Sequence, residues 1–175
     1  MIFGDTDFTP QSLCDSSPPK EWRSCIKIDY KMIRQTLYIE KYNWIVYAYY
    51  AVDGYYIEEI MERLYSIGCR GNFLMQAYEN MSQNRLNQGL TYSNGKRRRS
   101  VLVVGLASSP EEYENSIQHE LRHLVDNISD ALGLEPGEPP GYLTGETAMQ
   151  MHPVTKLLTC ECKCCKKKLK ELING

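Results

Sequence analysis

The order of apolar and polar positions marks a series of short elements along the chain. Cys25 to Tyr30 alternates in the manner of a strand, and its continuation to Glu40 is open between strand and helix. Tyr42 to Val52 is rich in aromatic and β-branched residues and predicts a strand, ended by the turn Asp53-Gly54. Ile57, Ile60, Met61 and Leu64 then recur at helical spacing up to Ile67, with Gly68 as a helix-ending glycine. A further helix is expected from about Asn72 to Arg85, with Leu74, Ala77, Tyr78 and Met81 turned inward. Gly89 to Ser93 and Ser100 to Val104 flank Asn94-Gly95 and read as a hairpin. Lys96, Arg97, Arg98 and Arg99 at its tip read as a solvated loop, because no wider basic surface accompanies them.

The strongest helical pattern follows. Ser108-Ser109-Pro110-Glu111-Glu112 has a serine cap, a proline suited to the first turn, and acids near the positive end of the helix dipole. Ile117, Leu121, Leu124, Val125, Ile128 and Leu132 form an apolar stripe that stops at Gly133. Another helix is expected from about Pro140 to Met151. Together these patterns predict an α+β fold: a small, mostly antiparallel sheet packed on the 110–132 helix, with further helices covering it. Residues 1–24 read as an irregular arm, 25–158 as the folded domain, and 159–175 as a cysteine- and lysine-rich tail.

Within the long helix lies His119-Glu120-Leu121-Arg122-His123. Residues four apart share a helix face, so the two imidazoles can grip one metal ion from one side. Glu120 projects about 100° away, within reach of a metal-held water. Imidazole and carboxylate suit zinc, and a catalytic zinc site has a third protein ligand and an open position. Candidates for the third ligand follow Gly133. If the next helix folds straight back, Glu146 comes level with the histidines; if the connection runs back extended, Glu138 does. His152 is a weaker choice. Asp126, one turn after His123, reads as a surface acid before it reads as a partner of the histidines.

Charge and composition narrow the setting. The net charge of −2 gives no global attraction to nucleic acid or anionic membrane. No apolar run is long enough to span a bilayer, and no signal peptide is evident. Seven cysteines, four of them in Cys160-Glu161-Cys162-Lys163-Cys164-Cys165, fit reduced thiols better than a disulfide framework and predict an intracellular protein. Closely spaced thiolates bind soft metals, yet this spacing matches no zinc-finger pattern, and a reduced tail on a short basic helix is the plainer reading.

The run from Ser108 through His119-Glu120-Leu121-Arg122-His123-Leu124, followed by Gly133, Glu138 and Tyr142-Leu143-Thr144-Gly145, resembles small zincin-like, gluzincin-type metallopeptidases. These occur in phages and mobile elements of gut Bacteroidetes. The resemblance covers roughly residues 42 to 160 and includes the Gly89 to Ser93 hairpin strand. It implies a zincin-like fold, Zn²⁺ as cofactor, and a third ligand from the helix after the motif. The acid ahead of Tyr142-Leu143 is Glu138, which the resemblance favours over Glu146. The chain departs from the pattern at Pro139-Pro140, which places Glu138 at the very start of its helix.

The expected function is zinc-dependent hydrolysis of a peptide or protein, with His119, His123 and Glu138 as ligands, Glu120 as general base and Tyr142 as a candidate oxyanion helper. In zinc peptidases an extended substrate typically pairs with an edge strand, and the hairpin is the candidate for it. No nucleic-acid or membrane partner is expected. The expected location is the cytoplasm of a bacterial host, with a virion as an alternative. The competing expectation is a catalytically silent structural protein that keeps the fold.

Overall fold

The computed structural model describes residues 31–83 and 89–174. The predicted strand at Cys25 to Tyr30 and the arm at 1–24 lie outside the described residues. Four strands, β1 (Ile33–Ile39), β2 (Trp44–Val52), β3 (Leu90–Asn94) and β4 (Arg99–Gly105), form one sheet in the order β1-β2-β4-β3. The β1–β2 and β3–β4 ladders are antiparallel, and the central β2–β4 ladder is parallel. The sheet is therefore mixed. Its parallel step follows from the chain between β2 and β4, which carries α1 (Ile57–Ser66), α2 (Asn72–Ser82) and β3 before it returns.

Strand alternation divides the core into two layers. Leu37, Trp44, Val46, Ala48, Tyr50, Leu102 and Val104 face α3 (Pro110–Leu132), α4 (Glu138–Thr159) and α5 (Lys163–Asn174). Tyr49, Val101 and Val103 face α1 and α2, where Ile60, Leu64, Ala77 and Met81 are buried. A register shift between Tyr49 and Val52 puts Val52 on this second face. Ala51 takes a left-handed φ of 56° there, and its N–H donates to the Tyr113 hydroxyl at 3.0 Å. Trp44 Nε1 donates to the Ser100 hydroxyl at 2.8 Å, which in turn bonds the Ser93 hydroxyl, so the buried Trp44 indole N–H is paired.

Helix α3 begins and ends as its sequence dictates. The Ser109 hydroxyl accepts from the Glu112 amide, Pro110 opens the first turn, and Gly133 closes the helix in the left-handed region at φ 62°. Ile117, Leu121, Leu124, Val125 and Ile128 are buried, each contributing about 1.5–3 kcal/mol of transfer free energy. Helix α4 is longer than expected, running from Glu138 through Pro153 to Thr159. Its Gln150 side chain takes both main-chain groups of Tyr38 on β1: its oxygen accepts from the N–H at 3.2 Å, and its amide donates to the carbonyl at 3.0 Å. The hairpin-tip arginines are not simply solvated. Arg97 donates to the Ser66 carbonyl and Arg98 to the Tyr42 carbonyl, tying the tip to the end of α1 and to the connection between β1 and β2. The C-terminal segment joins the core through α5, whose Leu169 is 4 % exposed within the same cluster as α3 and α4.

Candidate functional site

His119 and His123 stand on the exposed face of α3 with their Nε2 atoms 3.0 Å apart and their rings at 86°. Two nitrogens at about 2.0–2.1 Å from one tetrahedral zinc are about 3.3 Å apart, so the pair has the right bite for a single ion. Glu120, one residue on, turns the other way. It is 2 % exposed, packed beneath β3, and its Oε2 accepts from the Thr91 hydroxyl at 2.7 Å. The same hydroxyl lies 3.3 Å from the Glu120 carbonyl oxygen.

Gly89, at the foot of β3, makes this approach feasible. Its φ is 151°, and a Cβ there would stand 2.3 Å from the Val103 carbonyl oxygen and 2.7 Å from Glu120 Cγ. Burial raises the Glu120 pKa above the ordinary carboxylate value; the Thr91 hydrogen bond and the charges of His123 and His119 oppose that rise. Thr91 and Gly89 are the members of this site that motif reading did not single out. The sequence held a signal for them only in the expectation that 89–93 is a strand beside the motif helix.

The other predicted residues are more dispersed. Asp126 pairs with Arg122 at 2.8 Å, as an ordinary surface acid does. Tyr142 is 68 % exposed, and Glu138 is exposed at the first position of α4. The chain reverses within 133–137, and Glu114 near the start of α3 lines the same cleft as Thr159 at the end of α4, so the two helices run antiparallel. Nine residues separate His123 from Leu132, about 14 Å of helix, which leaves Glu138 at the far end of the helical hairpin. Glu146 lies eight residues, about 12 Å, back along α4, which returns its axial level to within about one turn of His123, but the α3 side chains that line the cleft with α4 include Gln118 and Leu121 and neither histidine. His152, exposed, lines the cleft of about 300 Å³ between α3 and α4 with Glu114, Gln118 and Lys156.

Neither glutamate completes a three-ligand set with the histidines. Among the described residues, the one group of three or more His, Cys, Asp or Glu ligand atoms within 4.8 Å of one another is Cys160, Cys162 and Cys165, which could hold a metal ion. No helix among the described residues is long and apolar enough to cross a membrane. No family model matches the chain, and neither a curated protein nor a solved structure matches it.

Proposed function

We propose that this protein is a zinc-dependent hydrolase of peptide bonds built on a zincin-like arrangement. The observation that carries the reading is the His119–His123 pair, with Nε2 atoms 3.0 Å apart on one exposed helix face and a carboxylate between them in sequence. His119 and His123 would hold the ion, with Glu138 as third ligand and Glu146 as the alternative. Zinc bound there would supply a Lewis acid and a water of lowered pKa. Glu120 would take up the proton; burial raises its pKa above the ordinary carboxylate value, and the Thr91 hydroxyl donates to its Oε2. Strand β3 lies at the edge of the sheet against α3, the position in which an extended peptide would add as a further strand.

A second reading is favoured by the seclusion of Glu120. A carboxylate 2 % exposed and held by Thr91 also suits a structural protein in which the histidines bind metal, or nothing, without catalysis. One experiment separates the two. Zinc content and peptide hydrolysis are measured for the parent chain, His119→Ala, His123→Ala and Glu120→Gln, all carrying Cys162→Ser and Cys165→Ser to remove tail thiols. A hydrolase shows one zinc per chain that either histidine variant loses, and hydrolysis that Glu120→Gln abolishes while keeping the zinc. Zinc without hydrolysis in the parent chain supports the structural reading. No zinc at all in the parent chain removes the hydrolase.

A further inference from the structure

The segment between α4 and α5 brings its thiols together. Helix α4 ends at Thr159, and α5 starts at Lys163. Cys160, Cys162 and Cys165 therefore sit on an elbow of three residues plus the first turn of α5. Their sulfurs all lie within 4.8 Å of one another. Sulfurs bound to one tetrahedral metal at about 2.3 Å stand about 3.8 Å apart, so the set needs to contract by no more than about 1 Å to close on an ion. We propose that Cys160, Cys162 and Cys165 form a binding site for a thiophilic d¹⁰ cation, Zn(II) or Cu(I), that fastens α5 to α4.

Three independent features favour this over a loose cysteine tail. Cys162 occupies the cap of α5: its carbonyl accepts from the Lys166 amide at 3.1 Å, and its sulfur accepts from the Cys165 amide at 3.3 Å. That is the place of a serine or aspartate oxygen in an ordinary helix cap, where an anionic acceptor is favoured. Cys165 is 4 % exposed, so one ligand is fixed in the packed interior and cannot swing away with the surface. A fourth thiol is also close by, with Cys164 Sγ 2.9 Å from Cys162 Sγ. It gives the three-sulfur set a route to tetrahedral S₄ coordination, which suits zinc, whereas soft thiolates alone also suit Cu(I).

The electrostatics are favourable as well. Lys163, Lys166, Lys167, Lys168 and Lys170 follow in the same helix, and their positive charge offsets the excess negative charge of three thiolates around one cation. The spacing C-x-C-x-C-C is not that of paired knuckles. The site is formed by the reversal of the chain at the elbow, not by two zinc-binding loops.

The test uses the full chain, reduced and freed of metal by a chelator. His119→Ala and His123→Ala remove the other candidate site. Co(II) is added as an optical probe, then displaced by Zn(II), and Cu(I) is offered in a separate competition with a chromophoric chelator. The expected result is one equivalent of Co(II) with sulfur-to-metal charge-transfer absorption in the histidine double variant, lost at least tenfold in affinity in Cys162→Ser. A serine at 162 preserves the helix cap, so its loss of metal does not report unfolding; circular dichroism confirms this. Loss of affinity in Cys164→Ser as well would identify four-sulfur coordination, and its retention three-sulfur coordination. Charge-transfer absorption that is absent in the histidine double variant, or unchanged in Cys162→Ser, would overturn the proposal. Neither result bears on the histidine pair, whose zinc is measured with the thiols removed.

Discussion

Replacing Thr91 by valine tests whether Glu120 is held as a buried charge. The change keeps the shape of the side chain and removes one hydroxyl, the donor 2.7 Å from Glu120 Oε2. Burial raises the folded-state pKa of Glu120 above its unfolded value. Its contribution to stability is therefore fully present below the unfolded pKa, near 4.5, and is lost as the pH rises through the folded pKa. The Thr91 hydrogen bond works against that loss because it favours the charged form. Without it the folded pKa rises further, and the deficit of the variant grows with pH. A hydrogen bond to a charged acceptor is worth about 1.5–3 kcal/mol and one to a neutral acceptor about 0.5–1.5 kcal/mol. Thr91→Val should thus cost about 1 kcal/mol more at pH 8 than at the acid end of the range in which the fold survives. This is about a fivefold difference in the unfolding constant. Urea unfolding of metal-free protein followed by circular dichroism, at both pH values, measures it. In a Glu120→Gln background the extra cost at high pH should vanish. An equal deficit at both pH values, with or without Glu120, would refute the picture of a buried, threonine-held carboxylate.

Gly89→Ala should destabilise the fold by about 3 kcal/mol or more, since it adds left-side backbone strain to a contact with the Val103 carbonyl; a melting temperature within a degree or two of wild type would refute this. Ser109→Ala removes the α3 cap and should cost about 1 kcal/mol in urea unfolding. Gln150→Ala should cost about 1–2 kcal/mol and, more specifically, accelerate hydrogen exchange at the Tyr38 amide, with β2 amides unaffected. Zinc bound by the histidine pair should be lost in His123→Ala and, if Glu138 is the third ligand, in Glu138→Ala but not Glu146→Ala, as read by elemental analysis with the tail thiols removed.

Local rules carried much of this fold. The boundaries of α3 follow from Ser109, Pro110 and Gly133, and the hairpin from Asn94-Gly95 between two apolar runs, because caps and turns depend on nearby residues. The parallel pairing of β2 with β4 was not legible, since it depends on how α1, α2 and β3 are packed between them. The reversed face of Val52 was hidden for a related reason: a bulge at Ala51 breaks the alternation that strand reading relies on. At the site, the spacing of His119 and His123 specified their juxtaposition. It aimed Glu120 at a metal-held water but gave no sign of its burial, which depends on Gly89 and Thr91 some 30 residues away. The thiol cluster was legible as composition only; its convergence depends on where α4 stops.

The two margins of the sheet are not equivalent. On the β1 side, the Gln150 amide mimics a peptide group and consumes the outward N–H and carbonyl of Tyr38. On the β3 side, no described strand pairs with the outer margin. Among the described residues, the β3 margin is therefore the more open of the two to an incoming strand. Added there, an extended segment lengthens the sheet on the β3 side, and two copies meeting margin to margin make a pair with a β1 at either extremity. Open-ended stacking of one sheet on the next, the route by which bare strand margins seed fibres, meets on the β1 side a glutamine from α4 already seated on Tyr38.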